Sequence, residues 1–253
     1  MSVASGDLVL RVFIDPPADG VTNMAIDECL LAATAGGGAA TLRLYRWSPP
    51  TLSLGCFQKL ADPGRADPAL AELPVVRRIT GGGAIVHADE LTYSLLLPAG
   101  HALAGERPAD LYTWMHQRLA EALAALGGRT RFQGGDKVLT GRAGPFLCFE
   151  SHAPYDLMIG GAKLAGSAQR RTRRGVLQHG SLVLNRTHRV QPSASVAEHL
   201  GRPVTFDEVA AAVLAAIAAT GVALGEAVPS RVDDDALREF RAKHADRAWV
   251  GRW

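Results

Sequence analysis

The sequence predicts an α+β fold built on a mixed, largely antiparallel sheet flanked by helices. Strand-like alternation of apolar and polar residues recurs through the first two-thirds of the 253-residue chain, and helical periodicity is interspersed with it. Strict alternation of strands and helices, which is typical of a parallel sheet, is not present. No GxGxxG follows the first strand-like segment, and this disfavours a Rossmann fold.

Two segments in this part of the chain have the periodicity of helices. Residues 23–35 stop at three glycines and are predicted to place one set of residues on a common face: Ala25, Cys29, Ala32 and Ala33. The second helix is predicted to begin near Pro108 and to end at Gly127. Its apolar residues recur at spacings of four and three: Leu111, Met115, Leu119, Leu123 and Leu126.

Strand-like runs are predicted at residues 41–47, 52–55, 75–80, 84–87, 91–98, 155–171 and 176–184. Gly160 and Gly161 indicate a hairpin within the sixth run, and the arginine-rich RRTRRG indicates a turn before the last one. The segment 134–154, between the second helix and these strands, is predicted to be a loop.

Residues 190–253 are predicted to form a helical tail packed on the sheet. Thr205 and Glu208 make a capping box ahead of an alanine-rich helix that closes at Gly221, and an amphipathic stretch follows Ser230. A chain of this length buries one large core, and no low-complexity linker divides it. Residues 1–253 are therefore expected to form a single domain.

Composition and charge disfavour several classes of function. The formal net charge is +2 without a long run of one sign, so nothing in it argues for binding nucleic acid or an anionic membrane. The longest apolar run, residues 210–219, is about half of what a bilayer span needs, and the first residues lack the pattern of a signal peptide. Three cysteines without disulfide or zinc spacing favour a reduced, cytoplasmic protein with no metal site. Oligomeric state is left open, with a monomer as the working expectation.

The glycine run at 81–83 is the first unusual element. Backbone N–H groups that no side chain covers can wrap an anion or a carbonyl oxygen, and Arg77 and Arg78 lie just upstream. A plain hairpin turn explains the glycines equally well. His87, later in the same segment, is more often a hydrogen-bonded structural histidine than a catalyst.

Lys163 and Cys148 are the candidates for chemistry beyond this loop. Small residues follow Lys163 in a strand-like run and would let a ligand chain lie against the backbone, although a strand lysine usually faces solvent. Cys148 lies on a loop, where access and a nearby cation would make a thiol reactive. Cys29 and Cys56 fit the pattern of small buried hydrophobes. GxSxG, HExxH and Walker sequences are absent, which disfavours a hydrolase triad, a zinc protease and a P-loop.

Taken in order, several segments resemble the lipoate-protein ligase and octanoyltransferase family, also called the biotin/lipoate A/B protein ligase family. They are NMAIDECLL (23–31), LYRWSPPTLSLGCFQ (44–58), RRITGGGAIVH (77–87), and YDLMIGGAKLAGSAQRR with LQHGSL (155–182). The resemblance covers most of the first 185 residues. It implies the α+β catalytic domain that this family shares with biotin ligases and class II synthetase cores.

The resemblance also implies an acyl site at which the glycine run and the lysine strand meet. A Cys-Phe ahead of Tyr-Asp-Leu and the lysine strand resembles the thiol-dependent octanoyltransferases, so Cys148 is implied as the nucleophile. Lys163 is implied as the cation that activates the thiol and positions the acyl carbonyl. The implied substrate-binding residues are Arg77, Arg78, Gly81, Gly82, Gly83, His87, Gly166, Ser167, Ala168, Gln178, His179 and Gly180.

The implied activity is transfer of an octanoyl group from octanoyl-acyl carrier protein to a lysine of a lipoyl domain, such as the glycine-cleavage H protein, in lipoate biosynthesis. No cofactor is expected for it. One alternative is a lipoate ligase that uses ATP and Mg, although the chain has Pro154, Tyr155 and Asp156 where such ligases carry an asparagine-aspartate signature. The others are an amidotransferase between lipoyl domains and a non-catalytic subunit that binds carrier proteins. The arginines within 170–174 fit either an exposed hairpin tip or a docking patch for acidic carrier domains.

Overall fold

The computed structural model describes residues 9–60, 67–135, 145–187 and 190–252. Its strands in chain order are β1 (Val9–Ile14), β2 (Thr41–Tyr45), β3 (Thr51–Leu54), β4 (Val75–Arg77), β5 (Ile85–His87), β6 (Glu90–Pro98), β7 (Arg131–Phe132), β8 (Leu157–Ile159), β9 (Ala162–Arg171), β10 (Gly175–Val183) and β11 (Ala223–Val228). Its helices are α1 (Gly20–Ala35), α2 (Pro108–Ala125), α3 (Val196–Leu200), α4 (Phe206–Ala218), α5 (Asp234–Ala245) and α6 (Arg247–Val250).

Eight of these strands form one mixed sheet in the order β11-β1-β2-β6-β10-β9-β8-β7. β1 runs parallel to β11 and β2, and the other neighbouring pairs are antiparallel. A smaller sheet has the order β4-β3-β5, with β3 parallel to β4 and antiparallel to β5. The predicted α+β class with a largely antiparallel sheet is therefore confirmed.

One face of the large sheet is covered by α2 and α4. The stripe predicted on α2 is buried as expected, with Leu111, Met115 and Leu119 fully inaccessible. These side chains join residues of α4 and of the sheet in the main hydrophobic cluster, which includes Val209, Val213, Ile217, Leu42, Leu91 and Leu95. Each fully buried side chain of this kind contributes about 1.5–3 kcal/mol, so this face provides most of the hydrophobic stabilisation.

The opposite face of the sheet is covered by α1, which begins three residues earlier than predicted because Asp19 caps it by accepting from the Thr22 amide at 2.8 Å. The predicted helix face was only half right. Ala25 and Cys29 are buried, but Ala32 and Ala33 are exposed. Larger side chains remove more apolar area and turn the helix toward the sheet: Leu30 and Leu31 cluster with Leu96 and Leu177.

The tail after residue 190 is not wholly helical, which corrects the prediction. β11 pairs in parallel with β1 and forms the edge of the large sheet. Its sequence, ALGEAV, does not alternate apolar and polar residues, and it contains Gly and Glu, which are depleted in strands. An edge strand with an exposed face needs little burial, so it carries no strand signal. Helices α5 and α6 pack on α1 and β4, where Lys243 and His244 contact Glu28 and the Val250 carbonyl accepts from Arg77. Among the described helices, none has the length and hydropathy that crossing a bilayer requires.

Arg43 on β2 is fully buried and joins two carboxylates. Its Nε donates to Asp15 at 2.6 Å, and its Nη1 donates to Asp27 at 2.8 Å. Asn23 accepts from the same guanidinium, which lies 3.8 Å from the ring centroid of Tyr45. Burial alone would raise the pKa of Asp27, but Arg43 and His179 outweigh it and hold that pKa below its ordinary value. The arrangement ties together the end of β1, helix α1 and strand β2.

We expect Arg43→Met to lower the free energy of unfolding by about 3–5 kcal/mol, because two buried carboxylates would lose their cation. Urea denaturation at neutral pH measures the change. Arg186→Met is the matched control, since Arg186 and Glu198 form an exposed ion pair whose loss should cost less than about 1 kcal/mol. Equal losses in the two variants would show that the buried network does not hold the sheet together.

Candidate active site

A cleft that is partly open to solvent lies between the two sheets. Its apolar surface comes from Met24 of α1, Tyr45 and Trp47 at the end of β2, and Ile85 of β5. The Trp47 ring stacks on the imidazole of His87, with ring centroids 3.9 Å apart. A cleft with aromatic and aliphatic walls and a few polar groups is typical of a site for a small apolar ligand.

Cys148 lies at this cleft, at the start of a 3-10 turn spanning Cys148–Glu150. The Cys148 amide donates to the Ala84 carbonyl at 2.8 Å, and the Ala84 amide donates to the Phe146 carbonyl at 2.9 Å. Gly83 packs so closely that a Cβ there would be 2.7 Å from the Cys148 nitrogen. The backbone after the glycine loop (residues 81–83) therefore fixes the position of the thiol.

A β-bulge in β9 directs Lys163 toward that thiol. The register of β8 against β9 shifts by one residue next to Leu164, and both Leu164 and Ala165 pack in the core beneath α2. Lys163 is therefore on the other face of the strand from Leu164. Its Cε lies against Gly166, where a Cβ would be only 2.3 Å away. Bulges of this kind re-aim a side chain beside a functional site.

The Lys163 ammonium is buried, with 3% of the residue exposed, among four oxygen and sulfur atoms. It lies 2.8 Å from Asp156 Oδ2, 3.6 Å from Cys148 Sγ, and 3.3 Å from the carbonyl oxygens of Cys148 and Ser151. Burial lowers the pKa of Lys163, but Cys148 and Asp156 outweigh it and raise the pKa above its ordinary value. Lys163 is therefore a cation at neutral pH, in hydrogen-bond reach of the thiol.

The glycine loop is held open by Arg78. Its guanidinium donates to the carbonyls of Gly81 and Gly83 at 3.0 and 2.9 Å, and to Ser53 Oγ at 2.6 Å. Gly82 has φ +91°, a conformation that favours glycine. The amides of residues 81–83 donate to no acceptor within the described part of the chain. They are available to a ligand oxygen.

Two buried histidines support this loop, each between a carboxylate and a hydroxyl. His179 contacts Asp27 through Nδ1 at 3.4 Å and Thr80 through Nε2 at 2.6 Å. Since a carboxylate only accepts, Nδ1 carries the proton and Nε2 accepts from Thr80, which precedes the loop. Burial lowers the pKa of His179, consistent with a neutral ring. His87 makes the corresponding contacts with Glu90 and Ser53, both at 2.6 Å.

The structure brings most of the predicted site residues to the cleft. Those that line it are Arg78, Gly81, Gly82, His87, Cys148, Gly166, Ser167, Ala168, His179 and Gly180. Gly83 and Lys163 are not part of its surface, but both contact Cys148. The remaining cysteines are buried packing residues as predicted, and burial raises the pKa of Cys29 to about 11.

Two predicted residues lie away from the cleft, which corrects the sequence analysis. The Arg77 guanidinium is taken up by the backbone carbonyls of Gly55 and Val250. Gln178 is on the other face of β10 from His179, where it donates to the Tyr93 hydroxyl and the Leu111 carbonyl. Adjacent residues of a strand point to opposite faces, so of Gln178 and His179 only one side chain can face the cleft.

Sequence reasoning did not identify Asp156, Thr80 or Trp47. The signal for Asp156 was a carboxylate directly before a buried strand and seven residues before Lys163, but the two became partners only through the β8–β9 hairpin. Thr80 and Trp47 act through contacts with distant residues, and neither carries a local motif. Among the described residues, no group of three or more His, Cys, Asp and Glu side chains is arranged to hold a metal ion.

Comparison with known proteins shows the family of the chain. The profile of the lipoyl protein ligase A/B catalytic domain matches residues 19–191. The chain is 45% identical over 176 residues to octanoyltransferase LipM of Moorella thermoacetica. The aligned region covers 66% of this chain and 62% of that protein. It is 34% identical over 230 residues to octanoyltransferase LipM of an Exiguobacterium species, covering 81% of this chain and 82% of the relative.

Solved structures share the fold at low sequence identity. Lipoate-protein ligase A bound with ATP superposes with a TM-score of 0.77 at 20% identity, covering 96% of this chain and 98% of that one. A bipartite lipoate protein ligase from Thermoplasma acidophilum superposes with a TM-score of 0.70 at 18% identity, covering 96% of both chains. The profile spans more than half of the chain and the Exiguobacterium relative aligns over most of it, so the chain belongs to the lipoyl protein ligase A/B catalytic domain family.

Proposed function

We propose that the protein is an octanoyltransferase that acts through a thioester on Cys148. The donor is octanoyl-acyl carrier protein, and the acceptor is a lysine of a lipoyl domain such as the glycine-cleavage H protein. The observation that carries the proposal is the Cys148 thiol, 3.6 Å from the Lys163 ammonium at the wall of an apolar cleft. Relatives of this chain named octanoyltransferase support it.

In the first step, the Cys148 thiolate attacks the thioester carbonyl of the donor. A bond forms from Sγ to the carbonyl carbon, the bond to the carrier's sulfur breaks, and that sulfur leaves as a thiol after taking a proton from water. Lys163 stabilises the thiolate as a cation at hydrogen-bond distance. The amides of the glycine loop donate to no acceptor among the described residues and can donate to the developing oxyanion.

In the second step, the amine of the acceptor lysine attacks the octanoyl thioester on Cys148. An amide bond forms and the bond to Sγ breaks. The amine releases its proton to water, and Cys148 returns as the thiolate beside Lys163. The first step exchanges one thioester for another and is nearly balanced in free energy, whereas amide formation drives the second. Because the donor is already activated as a thioester, the pathway has no step that needs ATP.

The cleft provides binding energy for the acyl chain. An octanoyl group buries about six methylenes, which at about 0.8 kcal/mol each gives on the order of 5 kcal/mol. Met24, Tyr45, Trp47 and Ile85 supply the apolar walls. A wall of this kind distinguishes chains only by about 1–3 kcal/mol per methylene-sized difference, so octanoyl and lipoyl groups are both compatible with it.

Incubation with octanoyl-acyl carrier protein, followed by intact-protein and peptide mass spectrometry, tests the proposal. We expect one octanoyl group on Cys148 in the wild type and none in Cys148→Ala. Cys29→Ala is the control, because that buried thiol should not be acylated. Formation of lipoyl-adenylate from lipoate and ATP, with no adduct on Cys148, would instead identify a ligase.

Lys163→Met should slow acylation of Cys148 by about 10²–10³-fold, because the thiolate and the carbonyl oxygen lose their preorganised cation. Lys163→Arg keeps the charge and should retain part of the rate. Single-turnover acylation by the octanoyl donor measures both variants. A Lys163→Met rate within threefold or so of wild type would remove the lysine from the mechanism.

Gly83→Ala should slow acylation by about 10²-fold without unfolding the protein, because its Cβ would push on the Cys148 backbone at 2.7 Å and shift the thiol. Gly225→Ala is the matched control, since a Cβ on that exposed edge strand meets no atom closer than 3.5 Å. Thermal melting checks the fold of both variants. Equal acylation rates in Gly83→Ala and Gly225→Ala would mean that the contact between residue 83 and Cys148 does not set the position of the thiol.

A further inference from the structure

Asp156 is the carboxylate in contact with Lys163. Its Oδ2 lies 2.8 Å from Nζ, and it also accepts from the Ala153 amide at 2.6 Å. Both side chains of the ion pair are 3% exposed. Within the described chain, the other atoms in contact with Nζ are Cys148 Sγ and the carbonyl oxygens of Cys148 and Ser151. Asp156 and the Cys148 thiolate are therefore the two anions that can face this ammonium.

The charge on one of these anions disappears during the proposed reaction. Once the octanoyl group is bonded to Sγ, the thioester is neutral. Burial lowers the pKa of Lys163, whereas its charge interactions and hydrogen bonds with Cys148 and Asp156 raise it. In the acyl-enzyme, Asp156 is the one anion left in contact with the ammonium among the described residues, beside the carbonyl oxygens of Cys148 and Ser151.

A neutral Lys163 would be a hazard in that state. An unprotonated amine is a nucleophile, and Nζ lies 3.6 Å from the sulfur that carries the acyl group. Attack of Nζ on the thioester carbonyl would form an amide to Lys163 and break the bond to Sγ. The amine proton would pass to the departing thiolate, leaving a Cys148 thiol. The product would be a stable octanoyl-lysine within the site, unable to transfer the group further.

We infer that Asp156 keeps Lys163 protonated in the acyl-enzyme and thereby prevents transfer of the octanoyl group from Cys148 to Lys163. Asp156 is in this sense a positioning residue rather than a catalytic one, since among the described residues its side chain bonds to the Lys163 ammonium and to the Ala153 amide. The inference rests on the proposed thioester mechanism. It differs from a purely structural role for the ion pair, because a structural role predicts no acylated lysine.

The test is to acylate Asp156→Asn with octanoyl-acyl carrier protein and to treat the product with neutral hydroxylamine, which cleaves thioesters and leaves amides intact. Asparagine matches aspartate in shape and can still accept from the Ala153 amide. Each unit by which the pKa of Lys163 falls raises its neutral fraction about tenfold. We expect at least about tenfold more hydroxylamine-resistant octanoyl group in this variant than in wild type, located on Lys163 by peptide mass spectrometry.

Three further variants locate the cause. Asp156→Glu restores the carboxylate and should return the adduct to the hydroxylamine-labile form. Asp156→Asn with Lys163→Arg should form no resistant adduct, because a guanidinium is not a nucleophile under these conditions. Asp156→Asn with Cys148→Ala should form none either, because the shift begins from the Cys148 thioester.

A second measurement does not depend on the folding of any variant. Wild-type acyl-enzyme, freed of donor and moved to alkaline pH, should convert its labile adduct into a resistant one on Lys163 as the ammonium deprotonates. A labile wild-type adduct combined with no amide on Lys163, in Asp156→Asn or at alkaline pH, overturns this inference alone. Absence of any wild-type adduct on Cys148 contradicts the proposed function itself.

Discussion

The buried guanidinium of Arg43 is the interaction on which both the sheet and the cleft depend. It holds Asp15 at the end of β1 and Asp27 on α1, and Asp27 in turn contacts His179 on β10. His179 also contacts Thr80, which is the residue before the glycine loop. Since an unpaired carboxylate in this interior would cost several kcal/mol, each partner fixes the next. The loop that faces the substrate is therefore anchored to the centre of the fold.

A second buried ion pair, Lys163 with Asp156, serves the chemistry rather than the architecture. Arg43 is fully buried between two carboxylates, and none of these three groups takes part in the proposed reaction, so their charges stay the same during turnover. Lys163 has one carboxylate and a thiol, and the charge of the thiol changes during the proposed reaction. The charges around Arg43 are set when the protein folds. Those around Lys163 change each time Cys148 is acylated in the proposed reaction.

Local patterns were enough to predict the fold class, the helix in α2 and the hairpin at Gly160. Period and turn chemistry are properties of a few neighbouring residues, and they survive in a single sequence. β11 and the buried face of α1 were not predictable in this way, because long-range pairing and side-chain size decided them. The periodicity of neighbouring residues carries no information about either of these features.

The candidate site divides along the same line. Cys148 and Lys163 were predicted from the order of motifs, and the structure adds their 3.6 Å contact. Arg77 was misassigned because its neighbour in space, Val250, is 173 residues away in the chain. Asp156 was missed because an aspartate before a strand is common, and only the hairpin and the bulge in β9 show what it contacts.

The Arg77–Val250 contact has a consequence for synthesis of the protein on the ribosome. Arg77 ends β4, four residues before the glycine loop, and its guanidinium bonds to a carbonyl 173 residues later. At about 5–20 residues per second, the ribosome needs roughly 10–35 s to reach that carbonyl. β1 likewise waits for its partner β11. Throughout that interval the Arg77 guanidinium lacks its Val250 acceptor and β1 lacks its β11 neighbour. The unpaired edge of β1 is then exposed to pairing with other chains, which a chaperone would prevent.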